Sequence, residues 1–414
     1  MAPLLRAALL CLSLSCVDMV GSQSAEECIA LGHPRNASAA CLATHRKPTR
    51  AISSRPAHYV QRTGDLLSTL VFLAELGMRI LRHEENEHAC PITCNGAFEN
   101  PWSKTMVGTL TEDRAYALEL THNYGVAEYE TGRHRSLVNF GIVVADPVAV
   151  AQAAGSLGYF TAPLPPVGGV QAGWLDASLD GTMLVIGPDD YYYTLMPAGE
   201  AAGPSELLPR FHHISLHVSS LHHSLQFYTK LLGMRQLSDE GSAARSVGVA
   251  TASLLEGRPE AYAESVMSTA VGYRSSPSEE QEAAAAEEDV VLVLIDDGLP
   301  VTRTEWGGRN AIAVPEAAVR QINALLLEQQ EEDTRQGKRG GTARGRGRIV
   351  HPMQTIEEKL GLLLILILAD PDGNEVCLVS RETFEPASAA ADDFQMVSVS
   401  HVRSQILRAY SLRA

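Results

Sequence analysis

Short apolar runs of strand length alternate along this chain with longer stretches whose apolar positions recur at helical spacing. In order they trace four modules, each a strand, a helix and three strands. The first covers about His58 to Tyr124. A strand near His58 leads to a helical stretch closed by Gly77. Met78 to Glu84, Ser103 to Leu110 and Tyr116 to Thr121 follow as strands, with Thr111-Glu112-Asp113 as a turn. The second spans about Val138 to Met196, with a strand at Phe140 to Val144 and a helix at Val148 to Leu157. The third begins at His213, has a helix from Leu221 to Leu232, and ends on the strand Val290 to Ile295. The fourth runs from about Asn310 to Ser380, with a helix from Pro315 to Gln330; proline suits a first helical turn through its fixed φ and missing donor.

Two echoes support duplication. Leu-Gly-Met-Arg occurs at Leu76 to Arg79 and again at Leu232 to Arg235, each after a helical stretch. Gly187-Pro188-Asp189-Asp190 and Asp370-Pro371-Asp372-Gly373 each sit beside a β-rich run. Two segments break the pattern. Residues 257–288 include most of the Glu/Ala-rich run Glu279 to Asp289, and residues 331–348 pass from acidic to Gly/Arg-rich; both read as solvated loop inserts with too little apolar content to pack. Gly361 to Ala369 is intensely apolar but nine residues long, so it reads as a buried strand entering a turn and not as a membrane span.

The first 56 residues differ from the rest. Arg6 precedes an apolar run from Ala7 to Val17 with Gly21 and Ser22 behind it, the layout of a signal peptide. From Cys28 to Gly64 no acidic residue occurs, while Arg35, Arg46, Lys47, Arg50, Arg55 and Arg62 do, which suits a transit peptide. Together they resemble the bipartite leader of a protein sent to an apicoplast-type plastid; a mitochondrial presequence is the alternative.

The 414 residues carry a net charge of −16, which argues against broad nucleic-acid binding. Outside the leader the cysteines are Cys90, Cys94 and Cys377, an odd number that argues against a disulfide framework. Cys90 and Cys94 have no second pair at zinc-finger spacing, so these two are expected as ordinary half-buried thiols.

One residue type stands out. Glu119 lies in the apolar strand Tyr116 to Thr121, where an unpartnered carboxylate is costly and a metal ion or cation is the expected partner. The stretch Tyr116 to Gly125 resembles the strand of lactoylglutathione lyase (glyoxalase I) that supplies a metal-binding Glu. Leu81 to Cys90, Cys94 to Gly96, Trp102 to Gly108 and Ile367 to Val379 likewise resemble the vicinal oxygen chelate superfamily of glyoxalase I, bleomycin resistance proteins and dioxygenases. The resemblance covers nearly all of 58–384 outside the inserts. It implies an α+β fold of tandem βαβββ modules paired into two glyoxalase-like domains with curved mixed sheets. The divisions are then a leader at 1–56, one domain at 57–200, a second at 210–384 with both inserts, and a tail at 385–414.

The resemblance also implies a site. His58 falls on the first-strand metal ligand and Glu119 on the second, for zinc, nickel or iron. Arg62, Asn123 and Arg135 fall on contacts to a glutathione conjugate, as guanidinium suits carboxylates. In the family, module one pairs with module four, giving Arg309 and Cys377 opposite His58 and Glu119, with Glu375 two residues before Cys377. Module two pairs with module three, giving Asn139, Thr194 and His213, with Glu256 or Val293 as the fourth position. His213 and Cys377 are thus further metal-ligand candidates. His83, His88, His122, His212 and His217 read as surface or core histidines. The implied activity is metal-dependent isomerisation of the hemithioacetal of methylglyoxal and glutathione. The alternative is a non-catalytic glyoxalase-fold protein that binds a ligand or partner. Fused modules pair internally, so a monomer is expected.

Overall fold

The structure is a computed structural model that describes residues 54–129, 135–164, 179–198, 209–237, 242–257, 266–273, 290–303, 307–336, 347–359, 361–390 and 398–411. The leader expected at 1–56 therefore lies outside the described residues, apart from its last positions. Ala51–Ala414 forms one compact unit.

Sixteen strands among the described residues make two eight-stranded mixed sheets. In the first module, β1 (Arg55–Arg62), α1 (Leu66–Glu75), β2 (Arg79–Asn86), β3 (Trp102–Gly108) and β4 (Ala117–Asn123) follow the expected order. The second has β5 (Leu137–Val144), α2 (Pro147–Ser156), β6 (Phe160–Pro163), β7 (Met183–Ile186) and β8 (Tyr192–Pro197). The third has β9 (Arg210–His217), α3 (Leu221–Leu225, continued by a wider turn over Gln226–Leu231), β10 (Arg235–Leu237), α4 (Ser242–Leu255), β11 (Met267–Gly272) and β12 (Val291–Asp296). The fourth has β13 (Arg309–Val314), α5 (Glu316–Arg335), β14 (Arg348–Glu358), β15 (Gly361–Ala369) and β16 (Glu375–Ser380), then α6 (Arg381–Ala390) and α7 (Val399–Ser411).

In every module the first strand lies parallel to the fourth. Antiparallel pairing of β1 with β13 joins modules one and four, and that of β5 with β9 joins modules two and three. Each sheet therefore takes one module from 57–200 and one from 210–384. This is the α+β vicinal oxygen chelate architecture that the resemblance implied.

Local chemistry sets the helix ends. Asp65 caps α1 by accepting from the Ser68 N–H at 3.0 Å, and Asp146 caps α2 by accepting from the Ala149 N–H at 3.0 Å, with Pro147 in the first turn. Gly77 ends α1 at φ +84°, a conformation that costs other residues strain, and Gly233 repeats it at +74° after the second Leu-Gly-Met-Arg helix.

The turn echo also carries a structural role. Asp189 accepts from the Gly64 N–H at 3.1 and 3.2 Å, so the second module's turn holds the end of β1. Asp372 accepts from the Ser219 N–H at 3.0 Å and from its hydroxyl, so the fourth module's turn holds the end of β9. Beside it the buried Asp370 accepts from Tyr228 Oη at 3.0 Å and from the Asn374 amide at 2.8 Å, and burial pushes its carboxyl up to about 6. The folded pKa lies above the unfolded one of roughly 3.9. The stability this group contributes is thus complete below the unfolded pKa and is lost as pH rises through the folded one. Asp370→Asn is expected to remove about 1 kcal/mol of the stability difference between about pH 5 and pH 7.5. Urea midpoints of both proteins at the two pH values measure it; equal pH dependence refutes the assignment.

The largest core cluster takes residues from one face of each sheet and from the helices, among them Tyr59, Phe72, Leu118, Phe140, Tyr193, Phe211 and Leu366. The opposite faces carry the candidate site residues.

Four expectations need correction. The segment 257–288 is not wholly loop: β11 lies inside it, with Thr269 to Gly272 buried, because Val266 to Val271 is apolar enough to pack even though its flanks are not. The acidic start of 331–348 extends α5 to Arg335, where Arg335 pairs with Glu331 one turn earlier at 3.0 Å; residues 337–346 lie outside the described ones. The tail at 385–414 is partly helical, and Val402 and Ile406 of α7 are buried. Finally, Cys90 and Cys94 are joined in a disulfide, leaving Cys377 free and buried. Counting cysteines could not show that a turn brings these two together.

Candidate functional site

Strand register places equivalent residues of the four modules on one face. Val60, two past His58, pairs with Glu119. The same offset pairs Gly141, two past Asn139, with Thr194. It pairs Ser215, two past His213, with Val293, and Ala311, two past Arg309, with Cys377. Val293, and not Glu256, is therefore the counterpart of Glu119 in module three; Glu256 follows the end of α4. One sheet collects His58, Glu119, Arg309 and Cys377. The other collects Asn139, Thr194, His213 and Val293.

In the first sheet His58 and Glu119 converge, with Nε2 of one 3.4 Å from Oε2 of the other. Burial lowers the imidazole to about 4 and raises the Glu119 carboxyl, against the pull of Lys104. His58 Nδ1 and Glu119 Oε1 are buried without a hydrogen-bond partner among the described residues. Strands β2, β3 and β14 surround the pair with buried charge. Lys104 pairs with Glu358, Arg82 pairs with Glu84, and Arg82 Nε and Nη2 donate to the two oxygens of Glu112 at 2.6 and 3.3 Å. The Glu358 carboxyl is held below its ordinary range by Lys104 despite burial. Sequence reading missed this network, although Arg82, Glu84 and Lys104 alternate along β2 and β3 toward one face, which was the available signal.

The module-four half of this face is closed. Arg309 donates to Glu375 Oε2 from Nε at 2.9 Å and from Nη2 at 2.6 Å. Its remaining donors reach the Ile92 carbonyl at 3.0 Å and Thr93 Oγ1 at 3.2 Å, on the loop between β2 and β3. Cys377 packs with Ala311, Ala313, Ile365, Ile367 and Val379 beneath Phe384 of α6. Burial pushes its thiol up to about 12, so the neutral form persists at any physiological pH.

The second sheet's face is filled by α4. Asn139 Nδ2 donates to Thr194 Oγ1 at 2.6 Å and lies 3.3 Å from His213 Nε2, while His213 Nδ1 lies 3.1 Å from Nδ1 of His212. Burial and the neighbouring His212 drive the His213 pKa well down. Helix α4 lies over these strands, packing Ala244, Val249 and Ala252 with Val138, Val291 and Val293. A Cβ on Gly248 would meet Ser215 Oγ at 2.5 Å, so glycine is what lets the helix approach.

Arg62 and Asn123 stand on adjacent strands under the β2–β3 loop. Arg62 Nη1 donates to the Gly307 carbonyl at 2.9 Å. Asn123 Nδ2 donates to the Asn95 carbonyl at 2.9 Å and to Tyr129 Oη at 2.8 Å. Arg135 is elsewhere, between Glu256 at 2.8 Å and Asp297. His217, Glu256 and Asp297 form a group of donor atoms close enough to share a cation among the described residues, and the Arg135 guanidinium already pairs with both carboxylates. Of the other histidines, His83 bonds to Thr105 and Glu85, and His122 contacts the Thr63 carbonyl.

Catalytic divalent metals usually take three protein ligands. His58 and Glu119 offer two donors, each with a partnerless buried atom. The facing positions hold a permanent cation, Arg309, paired with Glu375, and the Cys377 thiol, packed in an apolar cluster. A guanidinium cannot ligate and repels a metal. The second sheet offers an imidazole with both nitrogens against polar neighbours, an amide, a hydroxyl and a valine. Neither set fits the metal of a glyoxalase centre.

Residues 210–378 match the family described as Glyoxalase/Bleomycin resistance protein/Dioxygenase superfamily. Glyoxalase domain-containing protein 4 of Rattus norvegicus is 26% identical over 340 residues, which span 81% of this chain and 89% of that one. A protein named probable lactoylglutathione lyase, chloroplastic, of Arabidopsis thaliana is 28% identical over 184 residues, 44% of this chain and 45% of its own. A mutant of glyoxalase I from Zea mays has a similar structure, with a TM-score of 0.51, 22% identity, and coverage of 80% of this chain and 94% of that one. That likeness speaks for the fold alone.

Proposed function

We propose, for a chain that belongs to the glyoxalase/bleomycin resistance protein/dioxygenase superfamily, that it works as a non-catalytic glyoxalase-fold protein binding a small ligand or partner. The observation that carries this reading is the Arg309–Glu375 ion pair, which puts a buried internal cation where a metal ligand would stand. The filled face over the second sheet supports it too. The ligand class suggested by Arg62 and Asn123 is a thiol peptide such as a glutathione conjugate, whose carboxylates suit guanidinium and amide donors. Arg135, tied to Glu256 and Asp297, is assigned to holding the end of α4 against β12.

Metal analysis of the purified chain is expected to give far less than one divalent ion per molecule. A thioester-formation assay with methylglyoxal and glutathione is expected to give no turnover, while calorimetry with an S-alkyl glutathione is expected to show binding that Arg62→Ala weakens by about tenfold. One tightly held metal with turnover overturns the reading.

The second reading, an isomerase of the lactoylglutathione lyase type, is favoured by His58 Nδ1 and Glu119 Oε1, neighbouring buried atoms without partners among the described residues. Turnover abolished by Glu119→Gln would select it. The basic leader and the chloroplastic name of one relative support delivery to a plastid. No helix among the described residues is long and apolar enough to cross a membrane.

A further inference from the structure

We propose that the Cys90–Cys94 disulfide is a thiol-responsive latch, which holds the β2–β3 loop against Arg309 on the face of the first sheet and frees it on reduction. The loop leaves module one at Asn86 and returns at Trp102, but its contacts reach module four. Ile92 is buried in the cluster of Ala311, Ile367 and Cys377, and its carbonyl accepts from Arg309 at 3.0 Å. Thr93 Oγ1 accepts from Arg309 and lies 3.1 Å from His351 Nε2 on β14. Both residues lie within the three that the disulfide encloses, Pro91 to Thr93.

The turn they occupy is not self-sufficient. Thr93 sits at φ +54°, where a β-branched residue is strained. Short bonds close it: Thr93 N donates to the Cys90 carbonyl and Gly96 N to the Thr93 carbonyl, each at 2.9 Å, and Cys90 N donates to Asn95 Oδ1 at 3.0 Å. The disulfide restricts that turn, and breaking it returns the loop's conformational freedom. The far side is anchored independently. Asn95 exchanges hydrogen bonds with Asn123, and Trp102 Nε1 donates to the His88 carbonyl at 2.9 Å. A released loop therefore pivots on Asn95 and withdraws Ile92 and Thr93 from Arg309, which keeps its bonds to Glu375.

The step balances with an external thiol as reductant, glutathione or a protein dithiol. A thiolate attacks one sulfur, breaking the S–S bond and forming a mixed disulfide; the other cysteine leaves as thiolate and takes a proton. A second thiol displaces the first cysteine, which is also protonated, and the reductant departs as its disulfide. Two electrons and two protons pass to the protein. Bridges of this kind in reducing compartments are transient and redox-sensing. The inference does not depend on which ligand the chain binds.

The test uses the full chain. Trp102 packs in the same buried cluster as Cys90 and Cys94, so its emission reports on how the loop packs. Dithiothreitol or glutathione is expected to raise tryptophan emission. Trp102→Phe should abolish that rise while the other two tryptophans still emit, and Cys94→Ser should show the raised emission with no response to thiol. Peptide mapping after alkylation should label Cys90 and Cys94 only after reduction. Hydrogen exchange at the Thr93 and Gly96 amides should speed up by about tenfold or more, with α1 unchanged. Labelled cysteines with unchanged exchange overturn the latch. So does a pair that alkylates fully without reductant, or one that resists millimolar thiol in the folded chain.

Discussion

Arg82→Met is expected to lower the stability of the folded chain by about 3–5 kcal/mol, more than any other single charge removal in the first sheet. Arg82 is buried and serves two carboxylates, Glu84 and Glu112, each also buried. Removing it leaves two carboxylates in a low-dielectric interior with no cation at contact, and Glu112 is further fixed because its carbonyl accepts from Arg55 Nη2 at 2.7 Å. Desolvation then acts without the attraction that offset it. The triple change Arg82→Met, Glu84→Leu, Glu112→Leu should recover most of the loss, since replacing a whole buried ion cluster by apolar groups of similar volume is often neutral. The exposed pair Arg335–Glu331 provides the contrast: Arg335→Ala should cost well under about 1 kcal/mol. Denaturant midpoints and slopes measure all three. If Arg82→Met shifts stability no more than Arg335→Ala does, the buried network is not what holds β2 to β3 and the turn at Glu112.

Gly141→Ala should cost about 3 kcal/mol, at the upper end of what overpacking produces. A Cβ there would lie 2.0 Å from His213 Cε1 and 2.1 Å from its Nδ1, so the ring must move or the strands must part. The ring has nowhere to go: it is fully buried, with Asn139 on one nitrogen and His212 on the other. Gly141 also lies in β5, next to the seam with β9, where a backbone shift would disturb the pairing of modules two and three. The clash predicts its own rescue. In a double-mutant cycle, His213→Ala should cost stability alone yet restore much of it in the Gly141→Ala background, a coupling of at least about 1 kcal/mol. Additive losses would mean that His213 does not fill the space over Gly141.

The reading of Glu119 shows how far sequence logic reaches into the site. A carboxylate in an apolar strand needs a partner. His58 was the nearest ligand type by module position, and the two do meet. The substitutions at Arg309 and Cys377 were equally visible. What was not visible is where the Arg309 guanidinium goes. Its donors are taken by Glu375, by a backbone carbonyl and by a threonine on a distant loop, and no spacing rule links residue 309 to residues 92 and 93. The disulfide belongs to the same class, since its pairing depends on a turn whose Thr93 takes an unusual left-handed φ. Helix α4 is a third case. Its small residues Ala244, Gly248 and Ala252 give no broad apolar stripe, so nothing in the pattern marks it as the element that packs over the second sheet.

Periodicity, the repeated Leu-Gly-Met-Arg and the paired Pro-Asp turns were enough to mark four strand-and-helix modules and the first-module strands on which His58 and Glu119 stand, while Arg309 and Cys377 were placed by the family resemblance. Those features are local, because side-chain alternation, capping and positive-φ glycines act within a few residues. Whether the faces so built remain open was decided only in three dimensions. Arg309 closing on Glu375 and the loop, and α4 covering the second sheet, are contacts between segments far apart in the chain, selected by burial and charge pairing that no local pattern records.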